Sequence, residues 1–370
     1  MLKGSSGSRL EVYKWKHSSY LPQILRSPEC QSKVSPGITS FLDDPRGLQE
    51  YLKLLLNSVE DCIERRNVKV FVLATAGMRL LSQDKQNSLL RDIAASLDSL
   101  DYPFHEVRTI TGNEEGIFGW LSLNYLMGKL RNPADTLGMI DLGGASVQIA
   151  FSPLQKSHFP IETISLKTGD GKILKYDLFS KTFLGFGTNE YRKKYVEYLM
   201  KSNRNQSSLS DPCLFEGFEK PEIFGTGDYD QCSSRVHESF VGSLIKDEIP
   251  FIDHEKQRFY GVSEFWYTTE DVFEFGGIYD YQALLRASQR FCSLSYKFVL
   301  SQVRNGDIGI EEARLEQQCF KSAYMTELLH EGFGFSRDFK HFRAISYKDD
   351  MPVSWTIGAL LFEIAGEKKE

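Results

Sequence analysis

The sequence lacks any run of about 18 apolar residues, the length that a membrane-spanning helix needs, and its first residues do not predict a signal peptide. It also lacks an excess of basic residues: 44 Lys and Arg face 50 Asp and Glu, which gives a formal net charge of −6. This balance argues against nucleic acid or an anionic membrane surface as the main partner. No low-complexity tract interrupts the chain, so a folded globular protein is expected.

The six cysteines form no Cys-x-x-Cys pair, which disfavours a zinc site and thioredoxin-type redox chemistry. Their even number allows a disulfide framework, although the sequence leaves the connectivity open. An even count, together with a lone glycosylation sequon at residues 205–207, indicates a secretory glycoprotein. Pairs that are neighbours in sequence are our choice: Cys213 with Cys232, Cys292 with Cys319 and, less favoured, Cys30 with Cys62.

A length of 370 residues is large for a single hydrophobic core, and two domains are the natural expectation. The stretch 139–151 is the main motif, because apolar residues end one strand and alternate along a second. Between them, Gly143 and Gly144 allow a tight turn whose N–H groups can converge on an anion such as phosphate. Asp141 ends the first strand, where it can hold a divalent metal through water. Taken alone, the stretch is more simply an ordinary hairpin.

A similar pattern recurs near the N-terminus, where a small-residue turn at 4–9 leads into a strand. Two phosphate-type hairpins about 140 residues apart indicate a duplicated unit, with one loop from each copy facing a shared cleft. Aligning Gly4 with Gly143 puts Leu2 opposite Asp141, so the first copy lacks the carboxylate. The strand that should precede the first loop is also missing, and we expect the N-terminus to be truncated.

Two further strand-to-helix junctions have the layout of a nucleotide site, in which the loop lies beyond the carboxyl end of a strand. The first is the strand at 68–73 with the loop at 74–79, and the second is the strand at 105–111 with the segment that follows it. That segment carries Glu114 and Glu115. Adjacent carboxylates at such a junction are usually helix N-terminal charges, and the functional alternative is a general base facing the cleft.

The C-terminal half carries weaker signals. Its Gly-Thr-Gly at 225–227 is, in isolation, poor evidence for a phosphate site. Residues 259–267 predict an aromatic strand. Its aromatic side chains are more simply explained as part of the core than as a surface on which nucleobases stack. Apolar spacing predicts helices over 280–305 and 311–330, and a final helix over 354–362 that returns to the first domain.

Together, these loops resemble the signature regions of the apyrase family, the nucleoside triphosphate diphosphohydrolases. The regions stand in the family's order, and the similarity extends over essentially the whole chain. It is closest to the intracellular, Golgi and lysosomal-type members, which carry membrane anchors that we do not expect within this sequence. The five regions are Gly-Ser-Ser-Gly-Ser-Arg at 4–9, Ala-Thr-Ala-Gly-Met-Arg at 74–79, Glu-Glu-Gly-Ile-Phe-Gly-Trp at 114–120, Asp-Leu-Gly-Gly-Ala-Ser-Val-Gln at 141–148 and Trp-Thr-Ile-Gly at 355–358.

The resemblance implies an α/β fold of two actin-like (RNase H-like) domains with a nucleotide cleft between them. Domain I would comprise residues 1–111 with 346–370, and domain II would comprise residues 112–345. The cleft would bind Mg²⁺ or Ca²⁺ and a nucleoside di- or triphosphate such as UDP, GDP or ATP. The resemblance further implies a place in the secretory-pathway lumen, Golgi or endolysosomal, with secretion or cell-surface display as an alternative.

Residue by residue, the resemblance implies that Glu115 is the general base, which takes a proton from the attacking water. Thr75 and Gln148 match residues near that water and the terminal phosphate. Asp141 matches an aspartate that holds the metal through its water shell. The remaining correspondences are Ser5 and Ser6 in the first phosphate loop, Gly143, Gly144, Ala145 and Ser146 in the second, and Tyr267 and Phe333 on either side of the base.

Three functions are weighed. The first is hydrolysis of nucleoside di- and triphosphates by water attack on the terminal phosphate. The second is a catalytically impaired, nucleotide-binding family member, favoured because Leu2 stands where the family has Asp and Lys3 where it has a small residue. The third, a kinase on the same architecture, is disfavoured, because Glu115 stands where a water-activating base belongs and no acceptor site is apparent.

Overall fold

The fold is seen in a computed structural model that describes residues 2–3, 7–202 and 208–367. Its N-terminal part forms a five-stranded sheet in the order β3-β2-β1-β4-β5. The elements of this part are β1 (Leu2–Lys3), β2 (Ser8–Lys16), β3 (Gln23–Val34), α1 (Pro45–Asn57), β4 (Val70–Ala74), α2 (Ala76–Arg79), α3 (Gln83–Ser99), β5 (His105–Thr109) and α4 (Gly112–Leu126).

The rest of the chain builds a six-stranded sheet in the order β14-β13-β6-β7-β9-β8, and smaller strands and helices surround it. A π-helical turn at Leu328–Gly332 continues the helix α12. The elements are β6 (Gly138–Leu142), β7 (Ser146–Phe151), β8 (Glu162–Lys167), β9 (Ile173–Leu184), α5 (Thr188–Ser202), β10 (Leu209–Asp211), β11 (Glu219–Lys220), β12 (Ile223–Gly225), α6 (Tyr229–Ser239), α7 (Ser243–Lys246), β13 (Phe259–Ser263), α8 (Glu264–Glu270), α9 (Tyr281–Cys292), α10 (Tyr296–Asn305), α11 (Glu312–Leu315), α12 (Gln318–Glu327), β14 (Phe342–Ala344), β15 (Tyr347–Lys348), β16 (Met351–Pro352) and α13 (Trp355–Ala365).

The two sheets repeat one topology. Read from its far edge, the second sheet has the order β8-β9-β7-β6-β13-β14, which is the order of the first sheet with β8 added. The pairing directions repeat as well, since β1 and β6 each pair antiparallel with the next strand of their hairpin and in parallel with β4 or β13. The duplication that the two hairpins predict is therefore present in the strand order, and it makes β1 the counterpart of β6.

The helices α4 and α13 lie between the two sheets. Their apolar residues share one buried cluster with β4 of the first sheet and with β6 to β9 of the second. The two helices approach each other closely at Gly358, where an added Cβ would lie 1.8 Å from the carbonyl oxygen of Phe118. The outer face of the first sheet is covered by α1 and α3, and helices from the second half cover the outer face of the second sheet.

Several expectations are met. Strands flank the Gly143-Gly144 turn, and helices begin after β4 and β5 where predicted. The three disulfides join the neighbouring cysteines, which confirms the chosen pairing. Among the described residues, no helix is both long and apolar enough to cross a membrane. The sequon at 205–207 lies outside the described residues.

Two expectations need correction. The predicted aromatic strand 259–267 is wrong beyond Ser263, because the chain turns there and Glu264–Glu270 is helical. The strand that was expected to be missing ahead of the first loop is present over Leu2–Lys3, between β2 and β4. The predicted final helix is present as Trp355–Ala365, and its buried residues share one cluster with α4 and with strands of both sheets.

Candidate active site

A cavity of about 480 Å³ opens at the carboxyl ends of β4, β6 and β13. This edge is where ligands bind in open α/β sheets, because loops diverge from the strand ends and leave a crevice. Ser5 and Ser6 lie outside the described residues. The cavity brings together nine of the predicted site residues: Thr75, Glu115, Asp141, Gly143, Gly144, Ala145, Ser146, Gln148 and Tyr267.

The two adjacent carboxylates at the start of α4 have different environments. Glu114 completes a capping box, since its side chain accepts from the Thr111 N–H at 2.7 Å while the Thr111 hydroxyl accepts from the Glu114 N–H. It also pairs with Arg108 at 2.8 Å. Glu115 faces the cavity instead, and it is buried. The helix-terminal role therefore belongs to Glu114, and Glu115 is the carboxylate available for chemistry.

Arg79 holds the carboxylate of Glu115. Its Nη2 lies 2.8 Å from Glu115 Oε2 and 3.4 Å from Ser146 Oγ, and its Nη1 donates to the carbonyl of Ile110. The side chains of Arg79 and Glu115 are 14% and 10% exposed. Because a charge-assisted bond this well shielded from water is strong, it fixes where the carboxylate points.

Gln148 supports the same carboxylate from the second sheet. Its Nε2 lies 3.2 Å from Glu115 Oε2, 2.6 Å from Ser146 Oγ and 3.1 Å from Thr182 Oγ1. Glu115, Ser146 and Gln148 are all less than a tenth exposed. Thr75 is also buried, and it begins α2 without using its hydroxyl to cap that helix. The Glu115 carboxylate is thus surrounded by a guanidinium and a neutral amide donor, with the hydroxyls of Thr75 and Ser146 in the same site.

The loop Gly143–Ala145 has a backbone arrangement that suits an anion. Its carbonyls accept from the segment that starts α5: Gly143 O from the Thr188 N–H, Gly144 O from the Asn189 N–H and Ala145 O from the Gly185 N–H. Within the described residues, the N–H groups of Gly144 and Ala145 donate to no protein acceptor. Free N–H groups in a turn form a concavity that suits phosphate oxygens.

Gly187 is needed behind this loop. An added Cβ at Gly187 would lie 2.3 Å from the Ala145 nitrogen and 2.4 Å from the Ser146 nitrogen. Only glycine permits this approach of the two backbone segments.

The far end of the cavity is aromatic and charged. The Arg314 guanidinium lies 4.3 Å from the centre of the Tyr267 ring, a cation–π contact. Arg314 also pairs with Asp271 at 2.9 Å, and burial raises the pKa of Asp271 although Arg314 opposes that rise. Lys321, almost fully buried, pairs with Glu264 at 2.8 Å. Tyr267 itself lines the cavity.

Phe333 does not lie opposite Tyr267. Its side chain is 2% exposed and packs against Phe183 in the core of the second half. It follows the π-helical turn, which carries the aromatic ring inward. The structure therefore gives Phe333 a packing role, in place of the base contact that the resemblance implied, and brings Arg314 to Tyr267 instead.

The residues of the cavity fit a divalent metal that is held through water. Among the described residues, no group of three or more His, Cys, Asp and Glu side chains could bind an ion directly. Asp141 lines the cavity next to the Gly143–Ala145 loop. Mg²⁺ keeps several of its waters and needs only one or two carboxylates beside substrate phosphates, so one carboxylate here suits such an ion.

Sequence reasoning missed the basic residues of the site. Arg79 stands in the quoted segment 74–79 but received no role, although a basic residue after a phosphate-type loop was itself a signal. Arg314 and Lys321 carried no such signal, because only the packing of α11 and α12 beside α8 brings them to the cavity.

Comparison with known proteins decides the family. Residues 2–369 match the GDA1/CD39 (nucleoside phosphatase) family. The chain belongs to that family. It is 34% identical to the Golgi apyrase of Schizosaccharomyces pombe, over 99% of this chain and 74% of that protein. It is 31% identical to the nucleoside-diphosphatase mig-23 of Caenorhabditis elegans, over 98% of this chain and 76% of that protein. Membership confirms the expected enzyme class, an apyrase-type nucleoside phosphatase.

Solved structures support the fold of this nucleoside phosphatase. A nucleoside triphosphate hydrolase from Neospora caninum matches with a TM-score of 0.67 and 17% identity, over 97% of this chain and 91% of that one. An exopolyphosphatase-like protein matches with a TM-score of 0.50 and 13% identity, over 97% and 96%. At such identities the likeness concerns the fold, and it agrees with two actin-like (RNase H-like) domains.

Proposed function

We propose that this nucleoside phosphatase hydrolyses nucleoside di- and triphosphates by direct attack of water on the terminal phosphorus, with Glu115 as the general base. One observation carries the proposal. A buried carboxylate, fixed by Arg79 and Gln148, shares a cavity with a loop whose free N–H groups suit a phosphate.

In the proposed reaction, the water oxygen bonds to the terminal phosphorus while the bond from phosphorus to the bridging oxygen breaks. Glu115 accepts the proton that the water loses, a contribution of about 10²–10⁴-fold to the rate. Arg79 and Gln148 hold the carboxylate in place, and the Thr75 and Ser146 hydroxyls orient the water and the terminal phosphate. Such catalysis consists mainly of positioning and charge stabilisation.

The phosphate chain would be bound by the Gly143–Ala145 loop, with Ser5 and Ser6 contributing from the first copy. Asp141 would orient the waters of Mg²⁺ or Ca²⁺, which when bound neutralises phosphate charge. The nucleobase would stack on Tyr267 beside Arg314, because a planar ring and a guanidinium both suit an aromatic base.

The proposal extends to the organisation and location of the protein. Residues 1–111 with 346–370 and residues 112–345 would form the two domains, since the two sheets fall within these ranges. The Golgi apyrases among its relatives and its three disulfides support a place in the secretory-pathway lumen. Nucleoside diphosphates such as UDP and GDP would be its substrates there, with ATP as a further one.

The test is release of inorganic phosphate from UDP, GDP and ATP by the purified chain, with Mg²⁺, with Ca²⁺ and with EDTA. We expect release without any acceptor substrate and its loss in EDTA. Activity that is unchanged in EDTA would refute the requirement for a divalent metal. Transfer of phosphate to an added acceptor would indicate a kinase.

A second candidate is an impaired enzyme that binds nucleotide with little turnover. The observation in its favour is that β1, which carries Leu2, occupies in its sheet the place that β6, which carries Asp141, occupies in the other, so that an apolar residue would stand at the second metal-holding position. A UDP-dependent rise in melting temperature without phosphate release would identify this case.

A further inference from the structure

Ser263 has an unusual backbone at the edge of the cavity. It ends β13 and precedes α8, with φ 60° and ψ −116°. Residues other than glycine rarely adopt a positive φ, because Cβ collides with the backbone. Such strain persists only where the surrounding structure enforces it, and it concentrates at functional sites.

The sharp turn itself has a packing cause. Phe265 folds back over β13, and an added Cβ at Gly261 would lie 2.6 Å from its ring. This packing requires an abrupt change from strand to helix at residue 263. It does not require a hydroxyl there, since glycine would adopt the same backbone with no steric penalty. What serine adds to the turn is its hydroxyl.

Within the described part of the chain, the Ser263 hydroxyl does not cap the helix that follows it. A serine that precedes a helix usually accepts a hydrogen bond from an N–H of the first turn, whereas Ser263 makes no such bond. Ser263 also lines the active-site cavity and a neighbouring cavity of about 400 Å³ that shares Arg9, Lys33 and Tyr267 with it. The hydroxyl therefore stands at the junction of two open spaces.

The position lies between the two ends of the proposed substrate. Ser263 pairs with Leu142, the residue before the Gly143–Ala145 loop, so both turns leave the same edge of the sheet. Tyr267 follows Ser263 by four residues, one helical turn along α8. A nucleotide whose phosphates reach the loop and whose base reaches Tyr267 must place its ribose and first phosphate beside residue 263.

From this juxtaposition we propose that Ser263 is a substrate-contacting residue, whose hydroxyl hydrogen-bonds the ribosyl-phosphate part of the nucleotide. The inference rests on the proposed function of the same cavity. The strained backbone is retained because it aims a hydroxyl where glycine would offer none. Removing the hydroxyl should weaken substrate binding, and removing the strain should stabilise the protein.

Two variants separate these effects. Ser263→Ala loses the hydroxyl but keeps the strain, so KM for UDP should rise about 3–10-fold, the effect of one lost hydrogen bond. Its kcat should stay within about 2-fold. Ser263→Gly should raise KM equally and also raise Tm by roughly 1–3 °C. A matched control is Glu222→Gly, because Glu222 is exposed, has φ 68° and lies between β11 and β12. It should gain stability with KM unchanged.

Calorimetric titration with UDP on the same variants separates this inference from the proposed function. If the parent chain binds UDP but releases no phosphate, the proposed hydrolysis fails while weaker binding by Ser263→Ala still supports the contact. Unchanged KM and unchanged affinity in both Ser263 variants would overturn it. An equal loss of UDP affinity in Glu222→Gly would also overturn it, because the loss would then follow from a change in protein stability and not from a lost substrate contact.

Discussion

The contact between Arg79 and Glu115 joins the two halves of the molecule at single-residue scale. Arg79 comes from the helix after β4, Glu115 from α4 and Ser146 from β7. The Arg79 guanidinium lies within hydrogen-bonding distance of both other side chains. A buried carboxylate needs such a partner, since an unpaired charge away from water is unfavourable. The ion pair therefore gives the buried Glu115 carboxylate such a partner and fixes its direction.

Replacing Arg79 should impair turnover more than binding. Arg79→Ala removes the guanidinium that fixes the Glu115 carboxylate, so the carboxylate loses its orientation. Misplacement of a catalytic group of this kind lowers kcat on the order of 10²-fold. Steady-state phosphate release from UDP measures it. Arg91→Ala, at an exposed arginine of α3, serves as the control and should behave like the parent chain. A kcat that survives in Arg79→Ala would show that Arg79 is not needed to position the carboxylate.

Asp141 gives a second prediction at this scale. Asp141→Asn removes the charge that would orient metal-bound water, so the Mg²⁺ concentration for half-maximal activity should rise about 10–100-fold. A Mg²⁺ titration at saturating UDP checks this, with Asp135→Asn, at an exposed aspartate, as the control. An unchanged Mg²⁺ requirement in Asp141→Asn would remove this residue from the metal site.

At the scale of elements, the pair α4 and α13 is what holds Glu115 in the cavity. The close contact of Gly358 with the backbone of Phe118 leaves no room for a side chain. Gly358→Ala should therefore destabilise the protein by about 1–3 kcal/mol, because α4 and α13 must separate to accept the methyl group. Denaturant unfolding with the disulfides intact measures the change.

Activity of Gly358→Ala should fall as well, since the shift of α4 moves Glu115. The matched control is Gly309→Ala, where an added Cβ meets its nearest atom at 3.9 Å and the stability should not change measurably. If both variants unfold at the same denaturant concentration as the parent, the helix pair is more adaptable than its packing indicates.

Elements also show where sequence patterns succeed. Alternating apolar residues on both sides of Gly143-Gly144 predict β6 and β7. This prediction succeeds because the spacing of apolar residues along a buried strand can be read from consecutive residues. The segment 264–267 was predicted as strand, since Phe, Trp and Tyr favour strands. Packing of Phe265 over Gly261 ends β13 at Ser263, and no local pattern encodes that contact.

At the scale of the whole molecule, the duplication was visible in sequence because its two loops share small residues, and the strand orders bear it out. The buried carboxylate was visible because strand, loop and helix follow one another in the chain. The residues around the proposed nucleobase position were not visible in the sequence. Arg314 lies over Tyr267 and Phe333 is buried in the core because of the way α11, α12 and the π-helical turn pack, which depends on contacts distant in sequence.

The most direct test of the account compares Glu115→Gln with Glu114→Gln. Glutamine preserves the capping box at Glu114, whereas at Glu115 it removes the proton acceptor. We predict that Glu115→Gln lowers phosphate release from UDP by about 10²–10⁴-fold and leaves UDP affinity close to that of the parent, while Glu114→Gln stays active. Near-normal turnover in Glu115→Gln, or an equal loss in Glu114→Gln, would contradict the central claim that Glu115 activates the water.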